Sequence, residues 1–184
     1  MPLPKEELNL FKQLKDLKVI FDVGARVDTD YLKLWPDSEH HLFEPHPDFF
    51  KELKEKVGDR SNVFLNNYGL GDKEEDRGYQ LGLQSFIGSE AVSEGNTVDL
   101  VIPIKRLDDY MNVHKIEQID FLKIDTEGFD YKVLLSTPIK KCRYIQYEHW
   151  NDKLQFHNLL EDDFIMCYVG LRNVLCIRKG EEWP

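Results

Sequence analysis

The sequence predicts an α/β fold, a doubly wound and mostly parallel sheet closed by a C-terminal antiparallel hairpin. Three observations lead there. Short apolar runs rich in β-branched and aromatic residues alternate with helix-like stretches, as βαβ units require. Several of those runs are followed directly by a glycine or an acid, as at Gly24, Glu44, Asp125 and Glu148. The last two, Phe164–Val169 and Val174–Arg178, flank a turn containing Gly170 and read as a hairpin.

Taken in order, Pro4–Leu17 reads as a helix, with Pro4 in the first turn and Leu10, Leu14 and Leu17 on one face. Lys18–Val23 has the character of a buried strand. A short helix is expected near Thr29–Leu34, stopped by Trp35-Pro36, and a second strand over His40–Phe43. His46–Val57 is an amphipathic helix with Gly58 as its C-cap. Asn62–Leu65 is a third strand, and Asn66-Asn67-Tyr68-Gly69 a turn. Gly78–Leu83 reads as a strand, Gln84–Asn96 as a loop, and Val98–Ile104, with its Pro103, as an edge strand. Leu107–Val113 is a helix, Ile119–Ile124 a strand, Phe129–Leu135 a helix, Tyr144–Tyr147 a strand and Asn151–Leu160 a helix. The expectation is one domain over residues 1–184, with residues 1–17 packing a helix on its core.

Charge narrows the partners. The net charge of −10 repels nucleic acid phosphates and anionic lipid, so neither is expected as a partner. No apolar run approaches the about 20 residues that cross a bilayer, and the N-terminus lacks a secretory signal pattern, so the expected compartment is the cytoplasm. Cys142, Cys167 and Cys176 sit in or beside strand-like runs without CxxC spacing and read as structural thiols. No metal is assigned, because only two adjacent oxygen donors, Asp125 and Glu127, stand together.

In sheets of this kind ligands bind beyond the carboxyl ends of the strands, near the point where the strand order reverses. That rule yields the candidate residues. Asp22-Val23-Gly24 follows the first strand, and its glycine lets backbone approach a ligand closely. Glu44 follows the second, about twenty residues beyond Asp22, where an acid binds a ribose diol; it could equally be a helix-start acid. Asn67 and Gly69 follow the third, as neighbours of a bound base or as plain turn residues. Asp125 and Glu127 follow the strand Ile119–Ile124 and could orient a hydroxyl, bind an amine, hold a divalent cation or start the next helix. Lys123, inside that apolar strand, is expected to pair with an acid. His149 follows the strand Tyr144–Tyr147 and is the general-base candidate.

These segments, in order over about Val19–His149, resemble the FkbM-type family of S-adenosylmethionine-dependent methyltransferases. VIFDVGAR resembles the family's first motif, LFEPHPDFF its second and NVFLNNYGLGD its third. VIPIKRLDDYM followed by IDFLKIDTEGFDYKVL is the most specific part, and YIQYEH resembles the next strand. The resemblance implies a Rossmann-like class I methyltransferase and S-adenosylmethionine as cofactor. It implies O-methylation of a hydroxyl on a sugar, polyketide or similar small molecule. By position, Asp22 and Gly24 would line the methionine end of the cofactor, Glu44 would bind the ribose, and Asn67 and Gly69 would lie near the adenine. Asp125 and Glu127 would face the transferring methyl group or the acceptor. The family's first motif usually carries asparagine where Arg26 stands and glycine where Asp28 stands.

Two other functions fit the same sheet. One is a non-catalytic binding module with an altered cofactor site, motivated by Arg26 and Asp28. The other is a nicotinamide-dependent oxidoreductase, weakened because no GxGxxG follows the first strand. The acceptor side is expected from Gln84–Asn96 and Trp150–Phe156.

Overall fold

The computed structural model describes residues 5–28, 30–80, 86–87, 100–148, 153–169 and 173–181. The strands form two sheets. The larger has seven strands: β1 (Val19–Val23), β2 (Glu39–Phe43), β3 (Val63–Asn66), β8 (Ile119–Ile124), β9 (Cys142–Glu148), β10 (Phe164–Val169) and β11 (Asn173–Arg178). Their order is β10-β11-β9-β8-β1-β2-β3. From β3 to β9 all neighbours are parallel, and β11 enters antiparallel between β9 and β10. The doubly wound sheet and its terminal hairpin are therefore present as expected.

Helices cover both faces. On one side α1 (Lys5–Phe11), α2 (Asp30–Leu34) and α3 (Pro47–Val57) lie over Ile20, Leu42, Phe121 and Tyr144. On the other, α4 (Leu107–His114), α5 (Asp130–Leu135) and α6 (Lys153–Leu160) cover Phe21, Phe43, Leu122 and Ile145. With both faces covered, all six residues of β8 are buried, which is why it reads as a continuous apolar run broken only by Asp120 and Lys123.

Several boundaries differ from expectation for identifiable reasons. The first helix ends at Phe11, although Leu14 and Leu17 remain buried. The buried Asp120 carboxylate accepts the backbone N–H groups of Lys18 and Val19 at 2.7 and 2.9 Å, which draws that segment out of helix and into β1. The expected turn at Asn66–Gly69 opens a second sheet. Its strands are β4 (Gly69–Leu70), β5 (Glu75–Gln80), β6 (Phe86–Ile87) and β7 (Leu100–Lys105), in the order β4-β7-β5-β6.

The strand expected over Gly78–Leu83 is thus three residues early at its start, and β7 is interior rather than an edge. Pro103 is tolerated there because β4 reaches only Ile104 and Lys105, so that among the described residues one flank of β7 is unpaired at the proline. The expected loop Gln84–Asn96 contains the short strand β6 and otherwise lies outside the described residues. No helix among the described residues is long and apolar enough to cross a membrane. Cys142 and Cys176 are buried and Cys167 half-buried, all as free thiols.

Candidate functional site

The strand order reverses between β1 and β8, and the carboxyl ends of β1, β2 and β8 are tied into one edge. The amides of Gly24 and Ala25 both donate to the Phe43 carbonyl, at 3.0 and 3.1 Å, and the Asp125 amide donates to the Val23 carbonyl at 3.0 Å. Gly24 has φ +79°, and a Cβ on it would stand 2.0 Å from the Asp125 carbonyl oxygen. The glycine expected to admit a ligand is thus first required by the neighbouring strand end.

Asp22 and Lys123 are register partners on β1 and β8. The Lys123 ammonium lies 2.8 Å from Asp22 Oδ1, donates to the Gly24 carbonyl at 2.8 Å and sits 3.7 Å from Asp125 Oδ2. Burial alone would push Lys123 toward neutrality. The carboxylates of Asp22 and Asp125 outweigh it and hold the lysine above its ordinary pKa, so it stays charged.

Glu44 is buried at the end of β2, and each of its oxygens accepts one backbone amide: Oε2 from Arg26 at 2.8 Å and Oε1 from His46 at 2.7 Å. Burial pushes its carboxyl up, and those two amides pull it back. A carboxylate has about four acceptor positions, so both oxygens keep capacity toward a diol.

The two departures from the family motif have their own tasks. Arg26 takes a left-handed conformation (φ +51°), is exposed and places its guanidinium 4.9 Å from the centre of the Phe49 ring, so it does not fill the space between Gly24, Glu44 and Asp125. Asp28 Oδ1 accepts the Asp30 amide at 3.0 Å and starts α2.

These residues line a cavity of about 350 Å³ at the strand ends. Of the candidates read from the sequence, Asp22, Gly24, Glu44, Gly69, Asp125 and Glu127 line it. Asn67 is not among the lining residues: its amide donates to the Glu44 and Pro45 carbonyls at 2.9 and 3.1 Å and fixes the loop behind Glu44. His149 lies outside the described residues, as do Trp150–Asp152. Phe156, expected on the acceptor side, is instead a core residue stacked on Tyr147 with ring centroids 4.2 Å apart.

One wall was not foreseen. The Tyr31 hydroxyl donates to Gln146 Oε1 at 2.7 Å, Gln146 Nε2 to Glu7 at 3.3 Å, and Asn173 Nδ2 to Glu7 at 2.6 Å. All four residues line the cavity, and burial keeps Tyr31 protonated as a donor. Gln146 carried a usable signal, a polar residue inside the buried run YIQYE. Glu7 and Asn173, from the two ends of the chain, carried none.

The turn Asp125–Gly128 is pinned from beneath by Asp130. This buried carboxylate accepts the Thr126 amide and hydroxyl at 3.1 and 2.6 Å and the Glu148 amide at 3.2 Å, and burial pushes its pKa up to about 6. Above it, the Asp125 side chain is half exposed, and Glu127 is left-handed at φ +53°. Among the described residues, no three His, Cys, Asp or Glu side chains converge as a metal site.

A reversed parallel sheet, a hairpin inserted antiparallel and a switch-point cavity with an acid at the end of β2 define a Rossmann-like class I methyltransferase fold. The model of the FkbM methyltransferase domain matches residues 22–166, and the chain belongs to that family of S-adenosylmethionine-dependent methyltransferases. No protein of curated function matches it by sequence.

Solved structures agree on the fold. A protein assigned as a caffeoyl-CoA O-methyltransferase from Staphylococcus aureus superposes with a TM-score of 0.58 at 8% identity, covering 97% of this chain and 85% of that one. A protein assigned as an rRNA methylase from Clostridium thermocellum gives 0.56 at 10% identity, with 99% of both chains covered. TrmK of M. capricolum, in complex with S-adenosylhomocysteine, gives 0.54 at 12% identity, over 98% of this chain and 70% of that one. Their substrates differ, so the likeness speaks for the fold alone.

The donor set suits the family's cofactor. Glu44 has acceptor capacity left over that could hold a diol, and Asp22 and Lys123 bring charges that could hold an amino-acid group.

Proposed function

We propose that the chain is an S-adenosylmethionine-dependent methyltransferase that methylates a hydroxyl on a small molecule or sugar. The observation that carries this reading is that Asp22, Gly24, Glu44, Asp125 and Glu127, from three different strand ends, line one cavity. Eight carboxylate residues line it, Glu7, Asp22, Asp28, Asp30, Glu44, Asp125, Glu127 and Glu148, against the cations Arg26 and Lys123. That balance favours a neutral, hydroxylated acceptor over a phosphorylated one.

The cofactor, when bound, supplies an electrophilic methyl group on a sulfonium. The protein supplies position and a proton acceptor. Glu44 holds the ribose diol with the lone pairs its two amides leave over. The buried walls Val23, Phe43 and Leu70 exclude water. Asp125, half exposed above the pinned turn, accepts the hydroxyl proton of the acceptor, a role that His149 shares as a candidate. Glu127 and Thr126 orient the acceptor on the same side. With the cofactor bound, these residues would hold the acceptor oxygen in line with its methyl group.

Titration calorimetry of the full chain with S-adenosylmethionine tests this. Saturable heat supports the reading; no heat at millimolar cofactor overturns it. A non-catalytic module of the same fold is the second reading, favoured by Arg26 and Asp28 in place of the family's usual residues. It expects that silent titration.

A further inference from the structure

We propose that the wall formed by Tyr31, Gln146, Glu7 and Asn173 recognises the acceptor by holding the non-reacting hydroxyls of a sugar, which rests on the methyltransferase reading above. Strand register places this wall. Asp22, Lys123 and Gln146 are partners across β1, β8 and β9, and Asn173 on β11 pairs with Glu148, two residues beyond Gln146. Strand side chains alternate, so these residues share the face of Ile20, Phe121, Tyr144 and Leu175, which lies under α1 and α2. Glu7 comes down from α1 and Tyr31 from α2 to line the same cavity. Glu44 stands at the end of β2, three strands from β9, or about 14 Å at about 4.8 Å per strand. A ribose held at Glu44 therefore leaves the Gln146 end of the cavity to a second ligand.

The hydrogen bonds of the wall decide what that ligand is. Tyr31 donates to Gln146, and both Gln146 and Asn173 donate to Glu7, so the whole chain of bonds ends on one buried carboxylate. The side chains are fixed by it: Glu7, Gln146 and Tyr31 are 3, 5 and 6% exposed. Each side-chain amide carries two N–H groups, and among the described residues Gln146 and Asn173 each use one of them. The Tyr31 oxygen and the Asn173 carbonyl oxygen offer acceptor lone pairs beside those donors. A hydroxyl both donates and accepts, and so matches the wall. An ammonium only donates, and a carboxylate or phosphate only accepts, so each would satisfy half of it. Asp125 stands at the end of β8, one strand from β9 and two from β11, or about 5–10 Å. A sugar ring bridges that span, with one hydroxyl at Asp125 and its neighbours on the wall.

The test measures release of S-adenosylhomocysteine from S-adenosylmethionine by the full chain. The probes are the methyl glycosides of glucose, galactose, mannose and rhamnose, with cyclohexanol and phenol as single-hydroxyl controls. At least one glycoside should raise release well above the rate without acceptor, and neither control should. Asn173→Ala and Glu7→Gln should each raise KM for that glycoside about tenfold, the loss of one or two hydrogen bonds, with kcat changed by less than about twofold. Calorimetry should find their affinity for S-adenosylhomocysteine within about twofold of wild type, which also shows that both variants fold. If every glycoside is inert in a chain that binds S-adenosylhomocysteine, the proposal is overturned and the cofactor reading stands. Equal turnover of cyclohexanol or phenol overturns it too, as does an unchanged KM in both variants. A parallel loss of kcat and cofactor affinity marks the wall as structural and also overturns it. If wild type binds no S-adenosylhomocysteine, the cofactor reading itself fails and takes the proposal with it.

Discussion

Gly24 and Asp125 meet so closely that no side chain fits between them: a Cβ on Gly24 would lie 2.0 Å from the Asp125 carbonyl oxygen. The backbone there is also left-handed, at φ +79°. Gly24→Ala should therefore cost more than the about 1–2 kcal/mol of a left-handed conformation alone. Chemical denaturation measures it; a loss below about 1 kcal/mol would mean that the two strand ends separate freely.

Glu44 joins two functions that a single substitution can pull apart. Glu44→Ala should weaken cofactor binding by about 1–3 kcal/mol and also lower stability, because the Arg26 and His46 amides lose their acceptor. Glu44→Gln keeps one carbonyl oxygen and should cost less on both counts. Unchanged cofactor affinity in folded Glu44→Ala would remove the ribose role.

Asp130 predicts a pH signature. Its folded pKa of about 6 lies above the ordinary carboxyl value because it is buried. Between about pH 4 and 6 the folded state holds this proton more tightly than the unfolded chain. Its stabilising effect is complete below about pH 4 and is lost as the pH rises through 6. The stability of wild type relative to Asp130→Asn should fall across that window, by on the order of 2–3 kcal/mol, and stay level above it. Parallel denaturation curves from pH 4 to 7 read this directly; a difference that is constant with pH would show an ordinary carboxyl.

Arg26 contributes to the site through its backbone. Its amide binds Glu44 while its guanidinium lies over Phe49. Arg26→Asn should ease the left-handed strain and give up a cation–π contact of about 0.5–1 kcal/mol, so stability should stay within about 1 kcal/mol of wild type. Cofactor affinity should be unchanged in titration. A marked loss would assign the guanidinium itself to the ligand.

Much of the site was legible because the chemistry of a parallel sheet concentrates at its strand ends. Gly24, Glu44 and Asp125 each follow an apolar run, and Asp22 and Lys123 are charges inside one. The second sheet was legible only in part: strands were expected where β5 and β7 lie, but β4 has two residues and β5 reads EDRGYQ, with no apolar alternation to mark its start. Its pairing partner β7 supplies the order that local pattern lacks. The early end of α1 was hidden for a similar reason, since the carboxylate that captures Lys18 and Val19 lies about a hundred residues away in β8.

The wall made by Glu7, Gln146 and Asn173 has a consequence for the order of events in folding. Glu7 bonds to residues 139 and 166 positions further along the chain. Contacts of such long range repay the entropy of loop closure late, after the strands between them have paired. On the ribosome, Glu7 waits for Asn173 to be synthesised. The cavity is therefore among the last features of the protein to take shape, and an incompletely folded chain can carry the whole sheet while still lacking an enclosed place for a ligand.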